Sequence, residues 1–192
     1  MAGFVGLALA YEHEPLTTID LEVSEWVFLD APEWLLWVAR PFSWVGGWIG
    51  LTILGCAAVV VLVRERAPAD LLFFLVAYLG AQVLVQVLKA VFGRLRPEIG
   101  SAVPLPESFA FPSGHATSGI AAVGALAVIA SERIVSRRAR VRLWILVAVL
   151  AVAIGLSRIA LNVHFVTDVL AGWCLGLAWL SACLLARDAL RA

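Results

Sequence analysis

Residues 71–97 read LLFFLVAYLGAQVLVQVLKAVFGRLRP, a run from Leu71 to Leu88 without a charge, followed by Lys89, Arg94 and Arg96. The uncharged part approaches the roughly 20 residues that a helix needs to cross a bilayer. Gln82, Gln86, Lys89, Gly93 and Arg96 fall at offsets of 0, 4, 7, 11 and 14, the spacing of one helical face. A cation on a membrane helix is costly unless it is buried in protein or lines a watery cavity. The stretch therefore predicts a spanning helix whose polar stripe faces the bundle interior near one end. Arg94 lies off that face and reads as a headgroup contact or a snorkelling side chain.

The rest of the chain repeats the pattern. Of 192 residues 62% are hydrophobic and 15% charged, and the mean hydropathy is +0.97. That is more apolar surface than a soluble domain of this length can bury. Uncharged runs also cover Trp44 to Val63, Ala116 to Ser131, Leu143 to Ser157 and Val169 to Ala186. The short ones reach spanning length when the charged residues at their ends belong to the helix and line a cavity. The fold class is an all-α membrane bundle of about six helices: five spans and a short first helix.

Met1 to Tyr11 is uncharged, yet at about 1.5 Å per residue it is too short to cross about 30 Å of hydrocarbon. It lacks the basic flank of a signal peptide. It reads as part of a first helix that either dips into the bilayer or belongs to a longer segment in relatives. Thr17 to Ser43 is acidic and carries Trp26, Trp34 and Trp37, with Trp44 and Trp48 close by, which suits an amphipathic helix lying in the interface before the second span. No repeat or linker interrupts residues 1–192, so the chain reads as one domain.

Nine of the fourteen basic residues, Arg64, Arg66, Arg133, Arg137, Arg138, Arg140, Arg142, Arg187 and Arg191, fall in two loops and a tail on one side. Positive charge of this kind marks the cytoplasmic side. The acidic amino-terminal stretch, the loop 93–112 and the turn 158–168 then share the opposite face. A net charge of zero gives no support for a nucleic-acid partner.

Three strings converge on that face: Lys89 with Arg96-Pro97, Pro112-Ser113-Gly114-His115, and Ser157-Arg158 with His164 and Asp168. A phosphate monoester carries about −1.5 to −2 charges near neutral pH, and Lys89, Arg96 and Arg158 can supply three positive ones. Guanidinium groups match phosphate oxygens bidentately, while lysine acts as a compact charge. Ser113 and Gly114 just before a helix offer a hydroxyl and free N–H groups to an anion. His164 and Asp168 at i and i+4 let the carboxylate keep one imidazole nitrogen protonated and leave the other as a nucleophile. His115 is left to protonate the leaving oxygen, which requires one neutral and one charged histidine.

Blander readings apply elsewhere. His13 has no partners of its own and reads as a helix-to-helix hydrogen bonder. Gln82 and Gln86 suit interhelical hydrogen bonding at least as well as substrate contact. Gly172 and Gly176 continue the four-residue spacing of His164 and Asp168 as a close-packing ridge. Cys56, Cys174 and Cys183 have no metal spacing and read as packing.

In order and spacing, the strings from Lys89 to Asp168 resemble the tripartite signature of the type 2 phosphatidic acid phosphatase superfamily. That group includes bacterial lipid phosphate phosphatases, glucose-6-phosphatase and the soluble vanadium haloperoxidases. The resemblance implies a six-helix bundle with its catalytic core at 89–168, a phosphohistidine formed on His164, His115 as general acid, and no metal or other cofactor. It also implies that Lys89, Arg96, Ser113, Gly114 and Arg158 hold the phosphoryl group. The departure is at the amino end, where membrane members usually have a full first helix.

Membrane spans argue against a haloperoxidase, and a site opening near the interface suits a lipid phosphate whose tail stays in the bilayer. Thirteen arginines against one lysine suggest a GC-rich bacterial genome, hence a plasma-membrane enzyme facing outward. Outward-facing bacterial relatives act on polyprenyl pyrophosphate, phosphatidylglycerophosphate or phosphatidate, and the first is the favoured expectation. Phosphotransfer to another acceptor, or a non-catalytic lipid-phosphate binder or transporter, are the alternatives. The sequence leaves the oligomeric state open.

Overall fold

The computed structural model describes residues 1–191, which form eight α-helices and no strand. They are α1 (Ala2–Ala10), α2 (Leu16–Leu29), α3 (Glu33–Val45), α4 (Trp48–Arg64), α5 (Pro68–Phe92), α6 (Gly114–Arg133), α7 (Arg137–Ala160) and α8 (Val166–Arg191). Four of them, α5 to α8, are long and apolar enough to cross a membrane alone. The expected bundle of about six helices with five full spans is corrected here. The run from Trp44 to Val63 is not one helix: Trp44 and Val45 end α3, Gly46 and Gly47 break the chain, and α4 supplies only 17 residues. α3 and α4 qualify as a fifth span only together, across a bend of 43°.

The single interfacial helix expected over Thr17 to Ser43 is also two. Pro32 is extended, with φ −66° and ψ 143°, and a proline disfavours a helical residue before it, so α2 stops at Leu29 and α3 starts afresh. The tryptophans Trp26, Trp34, Trp37, Trp44 and Trp48 all keep exposed rings. α2 buries Asp20, Ser24 and Val27, and α3 buries Ala39 and Ser43.

α6 is the packing axis because it is made of small residues. Ala116 to Ala125 are buried without a break, and α6 touches α4, α5, α7 and α8. Close approach of this kind supplies the dispersion contacts that hold membrane helices together when lipid is as apolar as the side chains. The ridge expected at Gly172 is real: a Cβ there would lie 2.8 Å from the Ser113 carbonyl oxygen and 2.8 Å from the Ala116 Cβ. Trp179 and Trp173 of α8 lie over Gly80 of α5 and Gly155 of α7. Their indole N–H groups donate to the carbonyls of Ala77 at 3.0 Å and Ala151 at 3.2 Å.

α1 has a structural task at its own end of the bundle. Phe4 and Tyr11 stack on the fully buried Phe111, at 6.0 and 4.7 Å between centroids, and Phe92 meets that ring edge-on at 5.0 Å. This aromatic cluster anchors the segment leading into Pro112. Among the cysteines only Cys183 is buried; Cys56 is exposed on α4, so packing does not account for it.

Candidate functional site

Each string reaches the site by a different local device. α5 carries Lys89 on its buried side, then ends because Gly93 adopts φ 61°, the left-handed conformation that glycine takes without a Cβ clash. The stripe therefore holds for Gln82, Gln86 and Lys89 and stops there, and Arg96 arrives from the loop. Lys89 Nζ donates to Ser108 Oγ at 3.2 Å and to the Phe109 carbonyl. Arg96 donates through Nε to the Ser108 carbonyl at 2.9 Å and through Nη1 to the Val163 carbonyl.

Ser113 is the N-cap of α6, and its amide donates to the Asp168 carbonyl at 3.0 Å, tying the starts of α6 and α8 together. Its hydroxyl is buried with no hydrogen-bond partner, as is Nε of Arg158. Buried polar groups are rarely left so. Arg158, near the end of α7, donates through Nη1 to Ser43 Oγ of α3. Gly47 sits against His115: a Cβ there would lie 3.4 Å from Nε2.

His164 stands in the short turn before α8 rather than on the helix, but the i and i+4 relation survives. Its Nδ1 lies 3.2 Å from Asp168 Oδ2, and its Nε2 lies 3.3 Å from Arg96 Nη1. A guanidinium has only donors. A ring proton on Nδ1, against the carboxylate, with the lone pair on Nε2 is the tautomer that fits both of these contacts. Asp168 is fully buried and also accepts the Phe165 amide at 3.0 Å, a helix-start bond of the capping-box type. Burial first, then the charges of Arg96, Arg158 and Lys89, hold the His164 imidazole well below its ordinary pKa.

Lys89, Arg96, Gly114, His115, Arg158 and His164 line one cavity of ≈ 240 Å³, floored by Gln82, Gln86 and Ser118 and walled by Trp48 and Leu51 of α4. Ser113 and Asp168 lie behind that surface. Gln82 accepts from Ser118 Oγ at 2.9 Å, so one expected glutamine role, bonding between helices, is present, and both glutamines also face the cavity.

Arg94 is the clearest correction. It neither snorkels nor meets headgroups: Nη1 binds Asp168 Oδ1 at 2.6 Å, Nη2 binds Asp20 Oδ2 at 2.8 Å, and the side chain is 12% exposed. Helical spacing no longer applies beyond Gly93, where α5 has ended. Sequence reasoning also missed Asp20, Ser108 and Gly47. A signal existed for Asp20, since it shares a helical face with Ser24 and Val27.

Residues 70–192 match the model of the PAP2 superfamily. Phosphatidylglycerophosphatase B of Bacillus subtilis (strain 168) is 31% identical over 176 residues, 91% of this chain and 86% of that protein. An undecaprenyl-diphosphatase of Sulfolobus acidocaldarius is 31% identical over 139 residues, 70% of this chain and 60% of its own length. The crystal structure of a transmembrane PAP2-type phosphatidylglycerolphosphate phosphatase from Bacillus subtilis superposes with a TM-score of 0.88 at 28% identity, covering 96% of this chain and 92% of that one. With its helical membrane architecture and this match over most of its length, the chain is an integral membrane protein and belongs to the PAP2 superfamily.

Proposed function

We propose that this protein is a lipid phosphatase that removes a terminal phosphate from an amphiphile through a covalent phosphohistidine. One observation carries the reading: three cations without a carboxylate partner among the described residues, Lys89, Arg96 and Arg158, surround a cavity that His164 and His115 also line. Buried positive charge without a counterion is unfavourable, and a phosphate dianion supplies the missing partner. The unpartnered Nε of Arg158, a cavity-lining residue, adds a further donor for its oxygens.

His164 Nε2 attacks phosphorus with its lone pair, the bond to the lipid oxygen breaks, and His115 gives that oxygen a proton. Asp168 stabilises the positive charge left on His164. Water then attacks the phosphorus, passing a proton back to His115, and the P–N bond breaks to release phosphate and restore His164. Among the described residues no three His, Cys, Asp or Glu side chains gather as metal ligands, so charge neutralisation is assigned to the three cations.

The match over nearly the whole chain to a phosphatidylglycerophosphatase favours phosphatidylglycerophosphate as substrate. The shorter match to an undecaprenyl-diphosphatase keeps the polyprenyl pyrophosphate expected from sequence as a second reading. The concentration of arginine at the opposite end of the bundle supports a site facing away from the cytoplasm. Phosphate release by purified protein, measured with chelator over phosphatidylglycerophosphate, phosphatidate and polyprenyl pyrophosphate, tests the proposal. Release from at least one, unaffected by chelator, is expected. Consumption of lipid without free phosphate would instead reveal transfer to another acceptor, and no consumption of any of them would defeat the reading.

A further inference from the structure

Helix α2 carries a buried carboxylate that no part of this chemistry uses. Asp20 is 1% exposed. Its Oδ1 accepts the Thr167 amide at 3.0 Å, and its Oδ2 accepts the Thr167 hydroxyl and Arg94 Nη2. Arg94 packs against the rings of Tyr11 and Phe165, at 4.7 and 4.4 Å to the centroids. Its other terminal nitrogen donates to Asp168 Oδ1. The four groups form one chain, Asp20 to Arg94 to Asp168 to His164, running from an interfacial helix to the imidazole. Neither Asp20 nor Arg94 lines the cavity.

A planar guanidinium packed against two rings and gripped at one end by a buried carboxylate has very little freedom. Its second nitrogen therefore fixes Oδ1 of Asp168, which leaves Oδ2 aimed at Nδ1 of His164. We infer that Asp20 and Arg94 are positioning residues that keep the ring proton of His164 on Nδ1, so that Nε2 carries the lone pair that attacks phosphorus. The inference rests on the proposed phosphohistidine chemistry for its kinetic consequence and on geometry alone for the tautomer. A carboxylate left without its fixed partner can rotate, and loss of the carboxylate contact on a histidine base permits the wrong tautomer.

Asp20→Asn keeps the size of the side chain but weakens its grip on Arg94. The expected loss in kcat is about 10- to 100-fold, the range for removing a partner one step behind a reacting group, with KM within about twofold because no cavity contact changes. Histidine ¹⁵N spectra in detergent, with His164 assigned from His164→Ala, read the tautomer directly. The parent should show the proton on Nδ1, and Asp20→Asn a mixture. Ser24→Ala is the control: it too cuts a bond from α2, to Asn162 at 2.8 Å, but outside the chain to Asp168, so its tautomer should match the parent's. Arg94→Lys keeps the charge without the two-ended fork and should reproduce the Asp20→Asn spectrum, which covers failure of Asp20→Asn to fold.

An unchanged His164 tautomer in folded Asp20→Asn or Arg94→Lys overturns the inference, even if kcat falls. A mixed tautomer in Ser24→Ala also overturns it, because any disturbance of α2 would then suffice. If the parent releases phosphate from no lipid while the tautomer shifts as expected, the positioning chain stands and the phosphatase reading fails.

Discussion

The two ends of the bundle treat charge in opposite ways. Away from the cavity, Arg133, Arg187 and Arg191 meet Glu65, Asp70 and Glu132 in one network: Arg187 binds Asp70 and, at 2.8 Å, Glu132, while Arg133 binds Asp70 and Glu65 at 3.0 Å each. Each of these three arginines has an acid. At the cavity, Lys89, Arg96 and Arg158 have none among the described residues, and the nearby carboxylate of Asp168 is occupied by Arg94 and His164. The network closes four helix ends against one another and serves stability. The cavity holds its positive charge in reserve, which is useful only if an anion comes and goes.

His164→Ala tests the contrast most severely, because it removes the only group at the cavity end assigned a covalent bond. Turnover should fall by about 10⁴-fold or more, and phosphate label trapped on the parent by acid quench should vanish. Turnover within tenfold of the parent would end the covalent account.

Arg96→Lys keeps a charge at the cavity but loses the planar group that holds Ser108 through Nε and Nη2 while Nη1 meets the Val163 carbonyl and His164 Nε2. A fall in kcat/KM of about 10²- to 10³-fold is expected. If the lysine variant matches the parent, charge alone matters there, and the geometric part of the contrast is wrong.

Asp70→Asn acts at the other end and should have the smallest effect on catalysis. Arg187, 5% exposed, would keep only Glu132. The cost is about 2 kcal/mol of stability, less than for a fully buried pair because Arg187 retains Glu132 as a partner. The unfolding temperature in detergent should drop by several degrees while kcat of the folded protein stays within about twofold. A large loss of kcat without a loss of stability would show that the two ends are coupled.

The sequence made the cavity legible because its residue types are expensive in a membrane and their spacing is short. Lys89, His115, Arg158, His164 and Asp168 could be placed together because each sits within a turn of a helix end, where local periodicity still applies. The place of Arg94 was not legible because the helical period stops at Gly93, whose positive φ ends the helix. The span count failed because Gly46 and Gly47 divide an apolar run without leaving a charge to mark the division.

What the sequence determined by itself is thus a helical membrane protein with a phosphate-type constellation, since hydropathy and the cost of buried charge depend on residue type and local order alone. Tertiary structure alone decided which cations are paired and which are free. It joined Arg94 to Asp20 and to Asp168, each 74 residues away in sequence, and it left the Ser113 hydroxyl without a partner among the described residues. Hydrogen-bond partners of that separation depend on how helices pack, and the packing here follows from small residues such as Gly172 against Ser113 and Ala116, a fit between surfaces that no single segment encodes.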